Sequence, residues 1–197
     1  MIGNDIVDLK QAAQDSPDSY REGKRYQRFL DKVFTQNEQA LIFSSENHYE
    51  TVWLFWSMKE AAYKVHVQQF GKRFFNPKRL VCKLISEEKG IVSIDDHHYF
   101  TSSTVTKDYV YTVAKLNLCK PHLSTIIASF QLCSIERQSK MLKIAFLTSV
   151  SKTKEMSLRE LQIKKTAIGV PKLIYNNRDL PTSFSLTHCG RFSGFAY

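Results

Sequence analysis

The chain has 197 residues, of which 43% are hydrophobic, and carries a formal net charge of +9 with a pI near 9.4. This length fits one large domain or two small ones, and the hydrophobic fraction is high enough for a packed core, which argues against a disordered or fibrous protein. The positive charge favours an anionic partner. Nucleic acid, an acidic protein, an anionic membrane and a polyphosphate cofactor all remain open.

The sequence shows no sign of a membrane span or a signal peptide. No apolar run approaches the length of a bilayer crossing, and residues 1–5 (MIGND) do not combine a basic region with an apolar one. The four cysteines are scattered without a CxxC pair, which argues against a zinc site or a disulfide framework: Cys82, Cys119, Cys133 and Cys189. We therefore expect a cytoplasmic protein that does not bind membranes.

The first part of the chain predicts a strand, two helices and then a run of strands. Residues 2–9 form a short apolar stretch typical of a buried strand. Thr35 and Glu38 have the spacing of a capping box, which predicts a helix start. A longer helix is predicted from about residue 49 to residue 69, ending before Gly71. Further strands are predicted over residues 80–85, 91–94, 99–105 and 109–116.

The second part of the chain follows a predicted linker at residues 117–121. A strand is predicted over residues 124–132, and helices over residues 134–149 and 157–167. Strands are then predicted over residues 172–175, 183–187 and 192–197. We expect two units, residues 1–117 and residues 118–197.

Two segments of the chain resemble each other. Residues 58–64 (MKEAAYK) and 158–164 (LRELQIK) each carry a basic residue, then Glu, then Lys four residues after the Glu, on a predicted helix. Residues 103–109 and 186–192 form a second similar pair in the same order. This predicts a duplicated α/β unit. The expected fold class is α+β with α/β layers, in which two similar halves are related by a pseudo-twofold axis.

Three charged residues stand out against apolar surroundings. Asp5 lies in the first predicted strand, where an unpaired buried carboxylate is costly, unless it caps a turn or the strand end is exposed. Glu60 and Lys64 are one helical turn apart and share a face, as a solvated surface pair would. Their helix is apolar nearly all round, which indicates burial. Asp5 and Glu60 are suited to hold a hard cation such as Mg²⁺ together with phosphate oxygens, and Lys59 and Lys64 to contact those phosphates.

These residues fall within motifs of a known family. Residues 2–7 (IGNDIV) and 56–64 (WSMKEAAYK) resemble the two signatures of the 4′-phosphopantetheinyl transferase superfamily, (I/V)G-x-D-(I/V) and (W/F)-(S/A)-x-K-E-(S/A)-x-x-K. Residues 28–38 (RFLDKVFTQNE) are similar to a stretch of the short, holo-acyl-carrier-protein-synthase type. Residues 184–192 (FSLTHCGRF) are similar to the FNxSHSGRW segment of the longer, surfactin type.

The resemblance implies a 4′-phosphopantetheinyl transferase fold and a Mg²⁺-dependent activity. Such an enzyme moves the 4′-phosphopantetheine arm of coenzyme A to a serine of an acyl or peptidyl carrier protein and releases 3′,5′-ADP. By resemblance, Asp5 and Glu60 ligate the metal, and Glu60 or a metal-bound water takes the proton of the serine. Lys64 stabilises charge on the transferred phosphoryl group and on the leaving group. Positioning and positive charge are what phosphoryl transfer chiefly needs.

The resemblance also implies residues that bind coenzyme A. Lys59 is placed near the diphosphate, and Thr187 and His188 at the 3′-phosphate of the adenosine. Val170 departs from the pattern, because it stands where the surfactin type has the lysine of a GKP motif, so one phosphate contact is lost or supplied elsewhere. Val7 likewise replaces a third acidic metal ligand of the surfactin type and matches the short type.

A basic segment precedes the capping box. We expect its side chains to dock an acidic carrier protein or carrier domain by electrostatic steering, although a solvated basic face is the simpler interpretation: Arg21, Lys24, Arg25 and Arg28.

Two other functions fit part of the sequence, a nucleic-acid-binding module and a non-catalytic homologue. A basic nucleic-acid-binding module would need aromatic and basic residues clustered on one surface, whereas the aromatic residues here fall mostly at core-like positions. A non-catalytic homologue would not need Asp5, Glu60 and Lys64 together.

The two halves of the chain are complementary, because Val105 stands where the first half would carry the phosphate-binding histidine, and residues 124–129 of the second half contain no aspartate. We therefore expect a pseudo-dimeric monomer with one site and no nucleic-acid partner.

Overall fold

A computed structural model describes residues 1–15, 23–74, 76–117, 121–128 and 134–197. The protein is a mixed α/β structure of antiparallel sheets and helices, which confirms the predicted fold class. None of the helices in these ranges combines the length and apolar character needed to cross a bilayer.

The first half of the chain forms one continuous sheet with its helices. The strands pair in the order β1-β5-β4-β3-β2, all antiparallel. A short 3-10 helix, Pro77–Arg79, precedes β2. The elements in chain order are β1 (Ile2–Asp8), α1 (Leu9–Asp15), α2 (Gly23–Val33), α3 (Gln36–Ser44), α4 (His48–Phe70), β2 (Val81–Leu84), β3 (Lys89–Ile94), β4 (His97–Val105) and β5 (Tyr109–Lys115).

Local sequence signals fix the ends of the helices α3 and α4. Thr35 Oγ1 accepts a hydrogen bond from the Glu38 backbone N–H at 3.3 Å, and Glu38 Oε2 accepts one from the Thr35 N–H at 2.8 Å, so the predicted capping box is confirmed. Helix α4 ends at Gly71, whose φ of 67° is a left-handed conformation that glycine adopts without strain.

The second half contains one long helix and six strands within the described ranges. The strands form two three-stranded sheets, β10-β11-β6 and β7-β8-β9. Residues 129–132 of the predicted strand and 118–120 of the predicted linker lie outside the described residues. The elements are β6 (Ser124–Ala128), α5 (Ile135–Lys154), a 3-10 helix (Leu158–Glu160), β7 (Leu161–Lys165), β8 (Pro171–Tyr175), β9 (Arg178–Leu180), β10 (Ser185–Cys189) and β11 (Phe192–Ala196).

The helix predicted over residues 157–167 is wrong. Only one 3-10 turn forms there, and the chain continues as β7, which pairs with β8. Leu161 is buried and Ile163 partly buried, whereas Gln162 and Lys164 are exposed, an alternation typical of a strand. Residues 158–164 are therefore not the counterpart of residues 58–64.

A duplication is present in the order of elements instead. Each half begins with a strand, continues through a long helix and ends with a strand that inserts beside the first one: β5 pairs with β1 and β4, and β11 pairs with β6 and β10. Helix α5 is therefore the counterpart of α4. The strand that is continuous in the first half as β4 is divided in the second half into β9 and β10, with Pro181 in the break.

Strand β1 joins the two halves. It is an edge strand of its own sheet, so every second backbone N–H points away from β5. Short side chains of the β10 segment accept these N–H groups: Ile2 to Ser183 Oγ, Asn4 to Ser185 Oγ, Ile6 to Thr187 Oγ1 and Asp8 to Cys189 Sγ, at 3.1–3.4 Å. A buried apolar cluster that includes Ile6, Tyr111 and Phe192 packs across the same contact.

Candidate active site

Asp5 is held in the middle of β1 at the contact between the halves. Its side chain is almost fully buried. Its Oδ1 lies 3.3 Å from Lys64 Nζ and accepts a hydrogen bond from Thr187 Oγ1 at 3.3 Å. Burial raises the pKa of Asp5, and the positive charge of Lys64 together with these hydrogen bonds offsets only part of that effect. The positive charge near Asp5 therefore does not fully compensate for the burial of its carboxylate.

Glu60 and Lys64 reach the same place from α4. Lys64 Nζ donates to the Asn4 carbonyl at 2.7 Å and to Asp5, and its side chain remains 30% exposed. Burial raises the pKa of Glu60, and the negative charge of Asp5 raises it further, while Lys64 acts in the opposite direction. The two carboxylates thus repel each other, and the Lys64 ammonium group offsets this repulsion in part.

This arrangement fits a hard divalent cation. Magnesium prefers carboxylate oxygens and commonly uses one or two of them, completing its shell with water and phosphate oxygens. A cation between Asp5 and Glu60 would relieve the repulsion that raises the pKa of Glu60. Within the described ranges, no three or more histidine, cysteine, aspartate or glutamate side chains converge on one point, which leaves these two carboxylates as the candidate protein ligands.

A cleft of about 340 Å³ opens beside these residues and lies between the halves. Helix α4 lines it with Glu60 and Lys64, and β10 lines it with the exposed side chain of His188. Burial lowers the pKa of His188, and the charge of Lys64 lowers it further. Glu60 and Lys64 of the first half and the phosphate-binding candidate His188 of the second half therefore face one cavity.

Three further cations line the cleft and were not anticipated from the sequence: Arg73, Lys143 and Lys165. They come from the loop after α4, from α5 and from β7, so no local spacing connects them. The contact between the halves adds Arg73 of the first half to Lys143 and Lys165 of the second. With Lys64 and His188 they make the cleft strongly attractive to a ligand with several phosphates.

Lys59, which was predicted to lie near the diphosphate, is buried among acceptor groups of the protein. Its side chain is 2% exposed and its Nζ donates to Glu38 Oε2 at 2.9 Å and to the carbonyl oxygens of Pro77 and Leu80. These three bonds use all the protons of the ammonium group. Lys59 lies on the buried face of α4 and ties that helix to α3 and to the segment before β2.

Thr187, which was predicted to hold the 3′-phosphate with His188, has its side chain against Asp5 and does not line the cleft. Its hydroxyl is buried, accepts from the Ile6 N–H at 3.3 Å and donates its only proton to Asp5. Thr187 therefore positions Asp5, while its neighbour His188 faces the cleft on the other side of β10.

The predicted docking residues Lys24, Arg25 and Arg28 lie on α2 with exposed side chains, whereas Arg21 lies outside the described residues. Helix α2 also forms one wall of a second cleft of about 380 Å³, through Phe29 and Lys32. This second cleft is lined mainly by apolar side chains, and it shares Glu60 with the first one.

Comparison with known families agrees with this geometry. The sequence profile of the 4′-phosphopantetheinyl transferase superfamily matches residues 1–114, which carry Asp5, Glu60 and Lys64. The chain belongs to this superfamily. The family predicted from the motifs is therefore confirmed. Its general activity is phosphopantetheinyl transfer, which uses coenzyme A.

Other comparisons are more distant. A search of curated proteins found no match. Among solved structures, the holo-[acyl-carrier-protein] synthase of Thermotoga maritima is similar over 90% of this chain and 83% of that chain, with 12% identity and a TM-score of 0.43. This likeness is too weak to bear on substrate or subtype within the phosphopantetheinyl transferase superfamily.

Proposed function

We propose that this phosphopantetheinyl transferase moves the 4′-phosphopantetheine group of coenzyme A to a serine hydroxyl of an acyl or peptidyl carrier protein, with Mg²⁺, and releases 3′,5′-ADP. The observation that carries the proposal is the convergence of Glu60 and Lys64 from the first half with His188 from the second half on one cationic cleft, with Asp5 held beside it against Lys64. A cleft of this kind suits a substrate that carries a diphosphate and a separate phosphate.

Asp5 and Glu60 would hold the magnesium ion, which when bound neutralises charge on the diphosphate oxygens. Thr187 and Lys64 keep the Asp5 carboxylate oriented through their contacts with its Oδ1. The Lys64 ammonium group, partly exposed to the cleft, is placed to stabilise charge that develops on the transferred phosphoryl group and on the departing 3′,5′-ADP.

Glu60 is the candidate base for the carrier serine. Glu60 borders both clefts, which would let it meet coenzyme A from one side and the carrier from the other. The serine hydroxyl would transfer its proton to Glu60 as its oxygen attacks the phosphorus that carries the pantetheine arm. The bond that breaks is the one between that phosphorus and the diphosphate bridging oxygen, which leaves with 3′,5′-ADP.

The carrier would approach over α2. Lys24, Arg25 and Arg28 present positive charge on its exposed surface, as docking of an acidic protein requires. Because α2 also forms a wall of the second cleft, a carrier bound there would have its serine close to Glu60. Arg21 belongs to the same basic run in the sequence.

We infer one such site per chain, in a pseudo-dimeric monomer. Strand β6, the counterpart of β1, has the sequence STIIA and offers no carboxylate for a second metal. Counted from the last pair of each hairpin, Thr104 in β4, rather than Val105 as predicted from the sequence, occupies the position of His188 in β10, so the first half offers no phosphate-binding histidine either. Residues 1–117 would supply the reaction centre and residues 118–197 the adenosine end of the site.

Incubation with coenzyme A, Mg²⁺ and candidate apo carriers tests the proposal. Intact mass should show one carrier gaining about 340 Da, the mass of one phosphopantetheine group. Omitting Mg²⁺ should prevent the gain. If the folded protein binds coenzyme A but labels no carrier from fatty acid, polyketide or peptide synthesis, the protein is a non-catalytic homologue and the proposal is wrong.

A further inference from the structure

Arg73 crosses from the first half to a glycine turn of the second half. A side-chain carbon placed on Gly169 would lie 2.4 Å from Arg73 Nη2, so the guanidinium group rests directly against this glycine. Gly169 has a φ of 80°, a conformation that residues with a side chain rarely adopt. Glycine at position 169 therefore permits both the left-handed backbone conformation of the turn and the close approach of Arg73.

The segment that carries Arg73 is fixed to α4. The backbone N–H of the next residue, Phe74, donates to the Tyr63 hydroxyl at 3.3 Å, and the rings of Phe74 and Tyr63 meet edge to face with centroids 5.2 Å apart. The guanidinium group of Arg79 covers the Phe74 ring at 4.8 Å. These contacts hold the main chain of Arg73 at the rim of the cleft rather than leaving it in a free loop.

Arg73 has no carboxylate partner within the described ranges, although it lines the cleft with His188 and Lys165. A guanidinium group binds a phosphate through two parallel hydrogen bonds, which makes it a strong and geometrically specific ligand for a terminal phosphate. An arginine held in place, unpaired and facing a cationic cleft is therefore placed to bind an anion.

The position of Arg73 separates that anion from the reaction centre. From Lys64 to the last residue of α4, Phe70, the helix rises about 9 Å along its axis, and Arg73 lies beyond this end. The diphosphate must lie at Asp5, Glu60 and Lys64, where the transferred phosphorus reacts. A phosphate reached by Arg73 is thus a different one.

We propose that Arg73 binds the 3′-phosphate of coenzyme A, together with His188, and takes over the contact that a lysine at position 170 would make. Val170 directly follows the glycine against which the Arg73 guanidinium rests. This inference rests on the proposed function, because it assumes that coenzyme A occupies the cleft. It makes the 3′-phosphate site a joint product of both halves.

Calorimetry with coenzyme A and with 3′-dephospho-coenzyme A tests this assignment. Arg73→Ala should weaken binding of coenzyme A roughly 10- to 100-fold, as expected for a lost charge-assisted hydrogen bond, and leave binding of the dephosphorylated analogue unchanged. Lys72→Ala, which removes the neighbouring exposed charge, is the matched control and should change neither value. If Arg73→Ala weakens the binding of both ligands equally, Arg73 contacts a group other than the 3′-phosphate, and the assignment is overturned.

A second variant tests whether positions 73 and 170 serve the same phosphate. Adding Val170→Lys to Arg73→Ala should restore most of the affinity for coenzyme A and none for the dephosphorylated analogue. An affinity that stays at the level of Arg73→Ala alone would overturn the claim that the two positions are equivalent. If the unaltered protein does not bind coenzyme A at all, the proposed function itself fails, which is a different outcome from either result above.

Discussion

The two halves share an order of elements but differ in what they bury. In the first half, β1 carries Asp5 into the contact between the halves, and α4 presents Glu60 and Lys64 to it. In the second half, β6 carries no acidic residue, and the strand equivalent to β4 is broken into β9 and β10. The break separates β10 from the β7-β8-β9 sheet, and β10 packs its short polar side chains against the edge of β1.

This difference shows how a duplicated unit can give one site rather than two. A buried carboxylate is stable only where positive charge compensates it, as Lys64 does for Asp5. The other half is freed from that constraint and contributes hydroxyl groups, His188 and the glycine turn. Each half is incomplete without its partner, and the predictions below compare matched positions in the two.

Removal of either carboxylate should have the largest effect. Asp5→Ala and Glu60→Ala should each lower phosphopantetheine transfer at least about 10³-fold and abolish the Mg²⁺ dependence of coenzyme A binding, because each leaves one protein ligand for the metal. The matched control is Glu160→Ala in the segment of the second half that resembles the Glu60 motif in sequence; Glu160 is exposed and is the last residue of a 3-10 helix. Full transfer activity in Asp5→Ala would contradict the metal assignment, and loss of activity in Glu160→Ala would contradict the difference between the halves.

Lys59 should affect stability rather than catalysis. Lys59→Met leaves the buried Glu38 carboxylate without its ammonium partner and should lower the free energy of unfolding by about 3–5 kcal/mol, measured by urea denaturation. The exposed Lys78→Met should change it by less than about 0.5 kcal/mol. The dissociation constant of folded Lys59→Met for coenzyme A should equal that of the unaltered protein. A weakened affinity at unchanged stability would return Lys59 to the phosphate site.

Lys64 should affect the rate more than the metal. Lys64→Ala should reduce transfer about 10²-fold by removing one positive group from the transferred phosphoryl, while Asp5 and Glu60 still bind Mg²⁺. Lys164→Ala is its matched control, because Lys164 occupies the sequence-equivalent position but lies exposed on β7. Single-turnover transfer and Mg²⁺ titration distinguish the two effects. A Lys64→Ala protein with normal transfer but no Mg²⁺ binding would reverse the proposed roles.

The ion pair between Asp8 and Arg191 should stabilise the contact of the halves with a defined pH dependence. Arg191 donates to Asp8 from Nε at 2.9 Å and from Nη2 at 2.8 Å. Burial alone would raise the pKa of Asp8, but the hydrogen bonds from Arg191 and from the Lys10 N–H outweigh it and hold the pKa below its usual 3.8. A carboxylate with a lowered pKa in the folded state stabilises the fold above about pH 4 and loses this contribution as the pH falls through the lowered value.

Arg191→Ala should therefore lower the free energy of unfolding by about 1.5–3 kcal/mol at neutral pH and by progressively less below pH 4. The exposed pair of Lys172 and Asp179 offers a control in the same half, because Lys172→Ala should cost less than about 1 kcal/mol. Denaturation measured across pH tests both values. If Arg191→Ala lowers the free energy of unfolding by the same amount at pH 3 and at pH 7, the proposed link to Asp8 is ruled out.

The local features of the first half were predictable because their signals lie within one element. The capping box at Thr35, the stop at Gly71 and the spacing of Glu60 and Lys64 each depend on a few neighbouring residues. The apolar neighbours of Asp5 indicated its burial, although the sequence left open that it caps a turn or lies at an exposed strand end. The burial of Lys59 also had a local signal, because it lies on the face of α4 that carries Phe55 and Ala62, both fully buried.

The features that depend on the contact between the halves were not predictable in the same way. A Glu and a Lys four residues apart suggested a helix at residues 158–164, although the alternation of Leu161, Gln162, Ile163 and Lys164 favoured the strand that forms. Arg73 and Lys165 are distant in sequence and meet only through tertiary packing. The role of Thr187 at Asp5 likewise depends on β10 lying against β1.

The stoichiometry of coenzyme A binding tests the central claim, that two unlike halves form one site, most directly. Calorimetric titration with coenzyme A in the presence of Mg²⁺, on protein whose mass in solution is measured by light scattering, gives the number of sites per chain and the oligomeric state together. The account predicts one site per chain in a monomer, with weaker coenzyme A binding in His188→Ala and loss of the Mg²⁺ dependence of that binding in Asp5→Ala. Two sites per chain, or a site that joins Asp5 of one chain to His188 of another, would contradict it.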